Sequence, residues 1–135
     1  MILKKRKPIL CLDFDGVIHS YESGWIKAIT ISDEPVPHAI PWLIRLLCEG
    51  PFRVAIFSSR RKYFGGKRAM KRWLRKWGVS KDLVKKISFP LLKPYAHLFI
   101  DDRALTFKGK FPEDFSELEK FSPWNRMSVY PKELE

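Results

Sequence analysis

The stretch that decides the fold is Ile9-Leu-Cys-Leu-Asp-Phe-Asp-Gly-Val17. Its first half is continuously apolar, which predicts a short strand buried on both faces, as in a parallel sheet. Its second half places two carboxylates, Asp13 and Asp15, where that strand ends, and Gly16 allows the backbone to turn directly afterwards. The stretch therefore predicts a buried parallel strand with acidic side chains at its carboxyl end.

Three further strands are predicted at 52–57, 86–89 and 97–100, because each is a short, mostly apolar run. Apolar residues at helical spacing predict helices near 39–47, 69–77 and 112–121, and Ser80 begins a short helical turn. Strands that alternate with helices indicate an α/β fold with a mostly parallel sheet. The 135 residues fit one domain over 1–135, with a hairpin-like flap near 19–31 and an irregular tail over 123–135.

Composition points to an anionic partner. The formal net charge is +11, which favours phosphorylated small molecules, nucleic acid or an anionic membrane surface, although a soluble domain can also simply be basic. Cys11 and Cys48 lie in apolar runs without metal-ligand spacing, so we expect free thiols. The first residues resemble neither a signal peptide nor a membrane span, so a cytoplasmic location without membrane association is the expectation.

Polar residues follow three of the predicted strands. Asp13 and Asp15 follow the first, Ser58 and Ser59 the second, and Asp101 and Asp102 the last. Because the carboxyl ends of parallel strands meet at one edge of the sheet, we expect these side chains to lie together.

The acidic pairs have alternative interpretations. Asp-x-Asp-Gly also occurs in solvated turns and in calcium loops, although the remaining ligand run of a calcium loop is missing here. Asp101-Asp102 taken alone is equally consistent with an exposed turn. Adjacent carboxylates at a buried strand end repel each other, and Mg²⁺, which prefers oxygen ligands, would relieve that repulsion.

In this order, Asp13-x-Asp15-x-Val17, a strand ending at Ser58, Lys93, and Ile100-Asp101-Asp102 resemble the four motifs of the haloacid dehalogenase superfamily. The resemblance spans residues 9–103 and extends to small members, some from phages. It implies a Rossmann-like three-layer sandwich. It also implies a capless enzyme, since the intervals between the motifs are too short for a cap domain and leave only the flap.

The resemblance further implies a magnesium-dependent phosphohydrolase. Asp13 would attack phosphorus to form an aspartyl-phosphate, and Asp15 would act as general acid and then general base. Asp13, Asp15 through its main-chain carbonyl, Asp101 and Asp102 would hold Mg²⁺.

The remaining candidate residues would bind the phosphoryl oxygens. Ser58 and Lys93 take this role by resemblance, and Ser59 and Arg60 stand beside Ser58 at the same strand end. The substrate class is a phosphomonoester, such as a nucleotide or a polynucleotide end.

Charge patterning keeps a second function open. Between Glu49 and Asp82 there are 11 Lys or Arg and no acid, with many on the helix around 67–76. This basic helix is either a solvated face or a track for nucleic acid. The alternative function is therefore a nucleic-acid binding protein on a similar scaffold with little or no turnover. The oligomeric state stays open.

Overall fold

A computed structural model describes residues 6–124 of the chain. Its centre is a four-stranded sheet in the order β3-β2-β1-β4, in which every neighbouring pair is parallel. The sheet confirms the predicted α/β class and is fully parallel over its strands. The strands are β1 (Ile9–Leu12), β2 (Arg53–Ile56), β3 (Ile87–Ser88) and β4 (Leu98–Ile100).

The connections between strands contain the helices. These are α1 (Ala39–Glu49) between β1 and β2, α2 (Gly66–Lys76) and α3 (Lys81–Val84) between β2 and β3, and α4 (Phe115–Glu119) after β4. Parallel crossovers are almost always right-handed, so two crossovers that step in the same direction place their helices on one face of the sheet. The contact between α1 and α3 agrees with this arrangement.

The main core lies between this helical layer and the sheet. Leu12 and Ile56 of the central strands are fully buried, together with Leu43 of α1 and Met70 and Leu74 of α2. Burial of each such side chain contributes about 1.5–3 kcal/mol. α4, in contrast, buries none of its residues. The three-layer, Rossmann-like arrangement stays a prediction.

α2 begins and ends where glycine permits it. A Cβ at Gly66 would overlap the carbonyl group of Arg60, so the helix can start against the preceding 3₁₀ turn (Ser59–Lys62) only with glycine there. At the other end Gly78 has φ +111°, and the amide of Val79 donates to the carbonyl of Leu74, which closes the helix as predicted.

The flap differs from the expected hairpin. Over 19–31 the structure has no strand. It has isolated bridges instead, one between Lys27 and Thr30 within the segment and two from His19 to Asp15 and Pro35 outside it. The carbonyl groups of Lys27, Ala28 and Thr30 accept hydrogen bonds from the Arg60 side chain, and this arrangement competes with a regular strand ladder.

One sequence expectation extends past the described residues. The irregular tail expected over 123–135 falls outside them from residue 125 onward. No helix in 6–124 is long and apolar enough to cross a bilayer.

Candidate functional site

Asp13 is held at the carboxyl end of β1. Its amide donates to the carbonyl of Ile100 at 2.9 Å, and its Oδ1 accepts from the amide of Phe14 at 2.8 Å. Leu12 and Phe14 on either side are fully buried. Because successive side chains alternate in direction, these two anchors fix Asp13 between them.

Asp13, Asp101 and Asp102 form one acidic cluster, in which a carboxylate oxygen from each lies within 4.8 Å of those from the other two. The register of the sheet produces this cluster. Leu12 of β1 pairs with Ile100 of β4, so the residues that follow each strand emerge side by side. This confirms that the two acidic strand ends meet.

Gly16 makes room for Asp102. Gly16 has φ +86°, and a Cβ at this position would overlap the Asp102 carboxylate. The turn after Asp15 therefore requires glycine for its backbone conformation and for the close approach of Asp102. The Trp124 indole nitrogen donates to the Gly16 carbonyl at 2.6 Å, so the chain after α4 returns to this turn.

The acidic cluster combines burial with repulsion between like charges. Burial raises the pKa of Asp13 to about 8, with the charge of Asp101 and a side-chain hydrogen bond with Asp102 adding to the rise. Asp102 Oδ1 is buried without a hydrogen-bond partner among the described residues. Such an arrangement of oxygens fits a divalent cation, which would lower the pKa of Asp13 and occupy the unpartnered oxygen.

Asp15 belongs to a different set of contacts. Its carboxylate accepts from Arg60 Nε at 2.9 Å and from Arg60 Nη2 at 3.0 Å, and its Oδ1 is also 2.8 Å from His19 Nδ1. Both oxygens are therefore engaged by the chain itself, and the Asp15 side chain is outside the acidic cluster.

His19 connects Asp15 to the loop that precedes α1. The amide of Asp33 donates to His19 Nε2 at 3.1 Å, which assigns the proton of the neutral ring to Nδ1 and makes Nδ1 the donor to Asp15. The ring is 1% exposed and packs against both Phe14 and Trp73, with centroid distances of 5.8 and 5.5 Å. His19 is thus fixed in position and in tautomer.

Arg60 is fully buried, and the described structure gives its side chain four partners within the chain. Besides Asp15, it donates to the three flap carbonyls, and its guanidinium carbon lies 4.9 Å from the centre of the Trp25 ring. A phosphate-binding role for Arg60 stays a prediction, and it would require some of these partners to be released.

Ser58 and Ser59 lie at the end of β2, as expected. Ser58 is 6% exposed, and its Oγ accepts from the Arg60 amide at 3.2 Å, which begins the 3₁₀ turn. The hydroxyl hydrogen of Ser58 remains a donor for a phosphoryl oxygen. Ser59 is exposed in the first position of that turn.

Lys93 lies before β4 with its Nζ 4.6 Å from the centre of the Phe99 ring. Phe99 is the central residue of β4, so Lys93 packs against a side chain of that strand two residues before Asp101. Burial raises the pKa of the Cys11 thiol in β1, and the charge of Lys93 is one of the influences that oppose that rise. No ion pair in 6–124 joins Lys93 to the acidic cluster.

His19 and Asp33 were not predicted as site residues. His19 lies four residues after Asp15, but the surrounding sequence has no helical periodicity that would predict a contact between residues at this spacing. Asp33 anchors the network by accepting from the amide and hydroxyl of Ser23, and these bonds lower the pKa of Asp33 although burial opposes them.

Comparisons with protein-family models, with curated proteins and with solved structures find no match to this chain. The case for a function therefore depends on the acidic cluster and the residues around it.

Proposed function

We propose that the chain is a magnesium-dependent phosphohydrolase in which Asp13 is the nucleophile. The observation that carries the proposal is the meeting of Asp13, Asp101 and Asp102 at the carboxyl ends of β1 and β4. In the order β3-β2-β1-β4, the chain steps one way from β1 to β3 and then crosses to the other side for β4. Open parallel sheets bind ligands at such a switch point.

The donor set suits the proposed metal. Asp13, Asp101 and Asp102 supply carboxylate oxygens, and by resemblance the main-chain carbonyl of Asp15 would add a fourth oxygen. A bound Mg²⁺ supplies positive charge that offsets the carboxylates and polarises the phosphoryl group. The order of the motifs, which is similar to that of the haloacid dehalogenase superfamily, supports the same assignment.

The reaction would proceed in two displacements. An oxygen of Asp13 forms a bond to phosphorus as the bond from phosphorus to the leaving oxygen breaks, and Asp15 gives its proton to that oxygen. Water then attacks phosphorus, the Asp13–phosphorus bond breaks, and Asp15 takes the proton from the water. Phosphate and the free Asp13 carboxylate result.

Asp15 would have to leave part of its contact with Arg60 and His19 to carry a proton. Ser58 and Lys93, the second and third motifs in the order along the chain, are the candidates to bind the phosphoryl oxygens. Because Arg60 also bonds to the flap, movement of the flap is the natural route by which Asp15 would be released.

The proposal is tested by phosphate release with Mg²⁺ from p-nitrophenyl phosphate, nucleotides, sugar phosphates and phosphorylated oligonucleotides. Asp13→Asn should lose at least ~1,000-fold in rate, because an amide is a poor nucleophile. Asp82→Asn is the matched control, since Asp82 is an exposed carboxylate in the first turn of α3. A metal-loaded parent protein that releases no phosphate from any of these substrates would overturn the proposal.

The alternative function, nucleic-acid binding with little or no turnover, is favoured by the basic helix. That alternative predicts oligonucleotide binding by a protein whose acidic cluster takes up Mg²⁺ without hydrolysis. Calorimetric titration of Mg²⁺ into the parent and into Asp101→Asn measures the metal site separately from turnover.

A further inference from the structure

A groove of about 580 Å³ lies between the flap and α2. One wall is formed by Ile29 and Ile31 of the flap, and the other by Ala69 and Trp73 of the helix. A Cβ added at Gly65 would lie 3.2 Å from Ile29 Cγ2, so the two walls meet at the start of α2. Since β2 leads into the 3₁₀ turn and then into α2, this end of the groove is also the edge of the sheet that carries the acidic cluster.

Three cations follow the groove along α2. Arg68, Arg72 and Lys76 recur every four residues, which places them on one face of the helix about 6 Å apart along its axis. Within residues 6–124, the side chains of Arg68 and Arg72 have no hydrogen bond or ion pair, and Lys76 Nζ lies 5.6 Å from the centre of the Trp77 ring. Cations at regular spacing beside an apolar groove complement a chain of phosphates with apolar groups between them.

Exposed aromatic rings stand at the same end of the groove. Phe64, which lines it, is fully exposed, and Tyr63 and Trp25 lie together with 6.0 Å between ring centres. Exposed rings of this kind stack on nucleobases whatever the base sequence. Trp25 also contacts the guanidinium of Arg60, which bonds to Asp15, so a series of contacts connects the aromatic pair to the candidate acid.

We propose that this groove binds a single-stranded polynucleotide. Its phosphates lie along Arg68, Arg72 and Lys76, and its unstacked bases pack on Phe64 and on the pair formed by Trp25 and Tyr63. In a duplex the base faces are already stacked on each other and cannot stack on the aromatic rings. The carboxylates of an acidic peptide would bind the cations but would not stack on the rings as nucleobases do. That the terminal phosphate of the strand is the substrate rests on the proposed function of the acidic cluster.

The test is binding of a fluorescein-labelled single-stranded DNA of about twelve nucleotides that has no terminal phosphomonoester, followed by fluorescence anisotropy. Two double variants remove the same charge from exposed positions. Arg68→Gln/Arg72→Gln removes it inside the groove, and Arg75→Gln/Lys81→Gln, the matched control, removes it outside. Thermal unfolding followed by circular dichroism verifies that all variants fold.

The groove variant should bind at least tenfold more weakly at low salt. The plot of log affinity against log salt has a negative slope, and the magnitude of that slope should decrease by about 1.4 because two phosphate contacts are lost. The control should stay within about threefold of the parent. Phe64→Ala leaves the charge unchanged and should weaken binding by roughly tenfold through lost stacking.

Two results would overturn the proposal: no binding by the parent, or equal weakening by the groove and control variants together with no effect of Phe64→Ala. The probe has no phosphate to release, so these results are independent of turnover. If the protein hydrolysed small phosphomonoesters but did not bind the single-stranded DNA, the proposed function would stand and the proposed polynucleotide groove would be wrong. If it bound the DNA but released no phosphate from any substrate, the groove would stand and the proposed function would be wrong.

Discussion

Arg60 and Asp15 form a two-pronged ion pair, in which Nε lies 2.9 Å from Oδ2 and Nη2 lies 3.0 Å from Oδ1. The two residues are 45 positions apart in sequence, and the pair joins the loop after β1 to the turn after β2. Because Arg60 is fully buried and also bonds to three flap carbonyls, the same side chain connects the candidate acid to the flap.

We expect Arg60→Ala to lower the free energy of unfolding by about 3–5 kcal/mol, because it leaves the Asp15 carboxylate without its charged partner and three carbonyls without a donor. The neighbouring Arg61→Ala is the control. The Arg61 side chain makes one hydrogen bond in the described structure, from Nε to the Phe89 carbonyl, and its removal should cost about 1 kcal/mol. Urea unfolding measures both, and equal losses would contradict the role assigned to Arg60.

Asp13 predicts a pH-dependent stability in the absence of divalent cations. Burial and the charge of Asp101 raise the pKa of Asp13 from 3.8 to about 8, so the native chain binds this proton more tightly than the unfolded chain does. The corresponding stability is complete below pH 3.8 and is lost as the pH rises toward 8. In a chelator, the melting temperature of the parent should therefore fall between pH 5 and pH 8.

Asp13→Asn removes that proton equilibrium, so its melting temperature should vary less with pH and exceed that of the parent at pH 8. Added Mg²⁺ should raise the melting temperature of the parent at pH 8 more than that of the variant, since binding to the native state alone is stabilising. If the melting temperatures of the two proteins varied equally with pH and rose equally with Mg²⁺, Asp13 would have no raised pKa in the native state and would not be a metal ligand.

The sequence was sufficient for the strands, which short local runs predict, and for the acidic cluster, which follows from the rule that the carboxyl ends of parallel strands meet at one edge of a sheet. Short apolar runs marked all four strands, and parallel pairing then brings Asp13 beside Asp101 once Leu12 is paired with Ile100. The flap could not be predicted in this way. Its backbone bonds to Arg60, a residue about 30 positions later, and this partnership leaves no period in the sequence of the flap itself.

The side-chain directions at the strand ends were equally hidden. Asp15 was predicted to transfer a proton and Arg60 to bind phosphate, yet the two side chains bond to each other because the turns after β1 and β2 point them inward. The tautomer of His19 depends on the amide of Asp33, 14 positions away. Contacts of this kind depend on the path of loops, which hydrophobic periodicity does not specify.

Two substitutions of His19 separate its two hydrogen bonds. The amide of Asn reaches the position of Nδ1, so His19→Asn should keep a donor to Asp15 but lose the acceptor for the Asp33 amide. The amide of Gln reaches the position of Nε2, so His19→Gln should keep that acceptor but lose the donor. If His19 positions Asp15, His19→Gln should reduce phosphate release more than His19→Asn does.

Stability provides the contrast for this pair. Both substitutions remove a ring packed against Phe14 and Trp73, so each should cost about 1–3 kcal/mol in the free energy of unfolding. Activity and stability are measured on the same preparations, by phosphate release and by urea unfolding. Equal activities in the two variants would assign His19 to packing alone.

Gly16 and Gly78 offer a matched pair for the last prediction. Both have positive φ, +86° and +111°, but a Cβ at Gly16 meets the Asp102 carboxylate, while a Cβ at Gly78 has nothing within 4 Å. Alanine at either position should cost about 1–2 kcal/mol through backbone strain.

Only Gly16→Ala should also displace Asp102 from the acidic cluster, and Mg²⁺ affinity, measured by calorimetric titration, should then fall at least tenfold. Gly78→Ala should bind Mg²⁺ as the parent does. If the two variants lost stability equally and both retained parental Mg²⁺ affinity, Asp102 would be excluded from the metal site, and the close approach of Gly16 to Asp102 would serve only the packing of the turn.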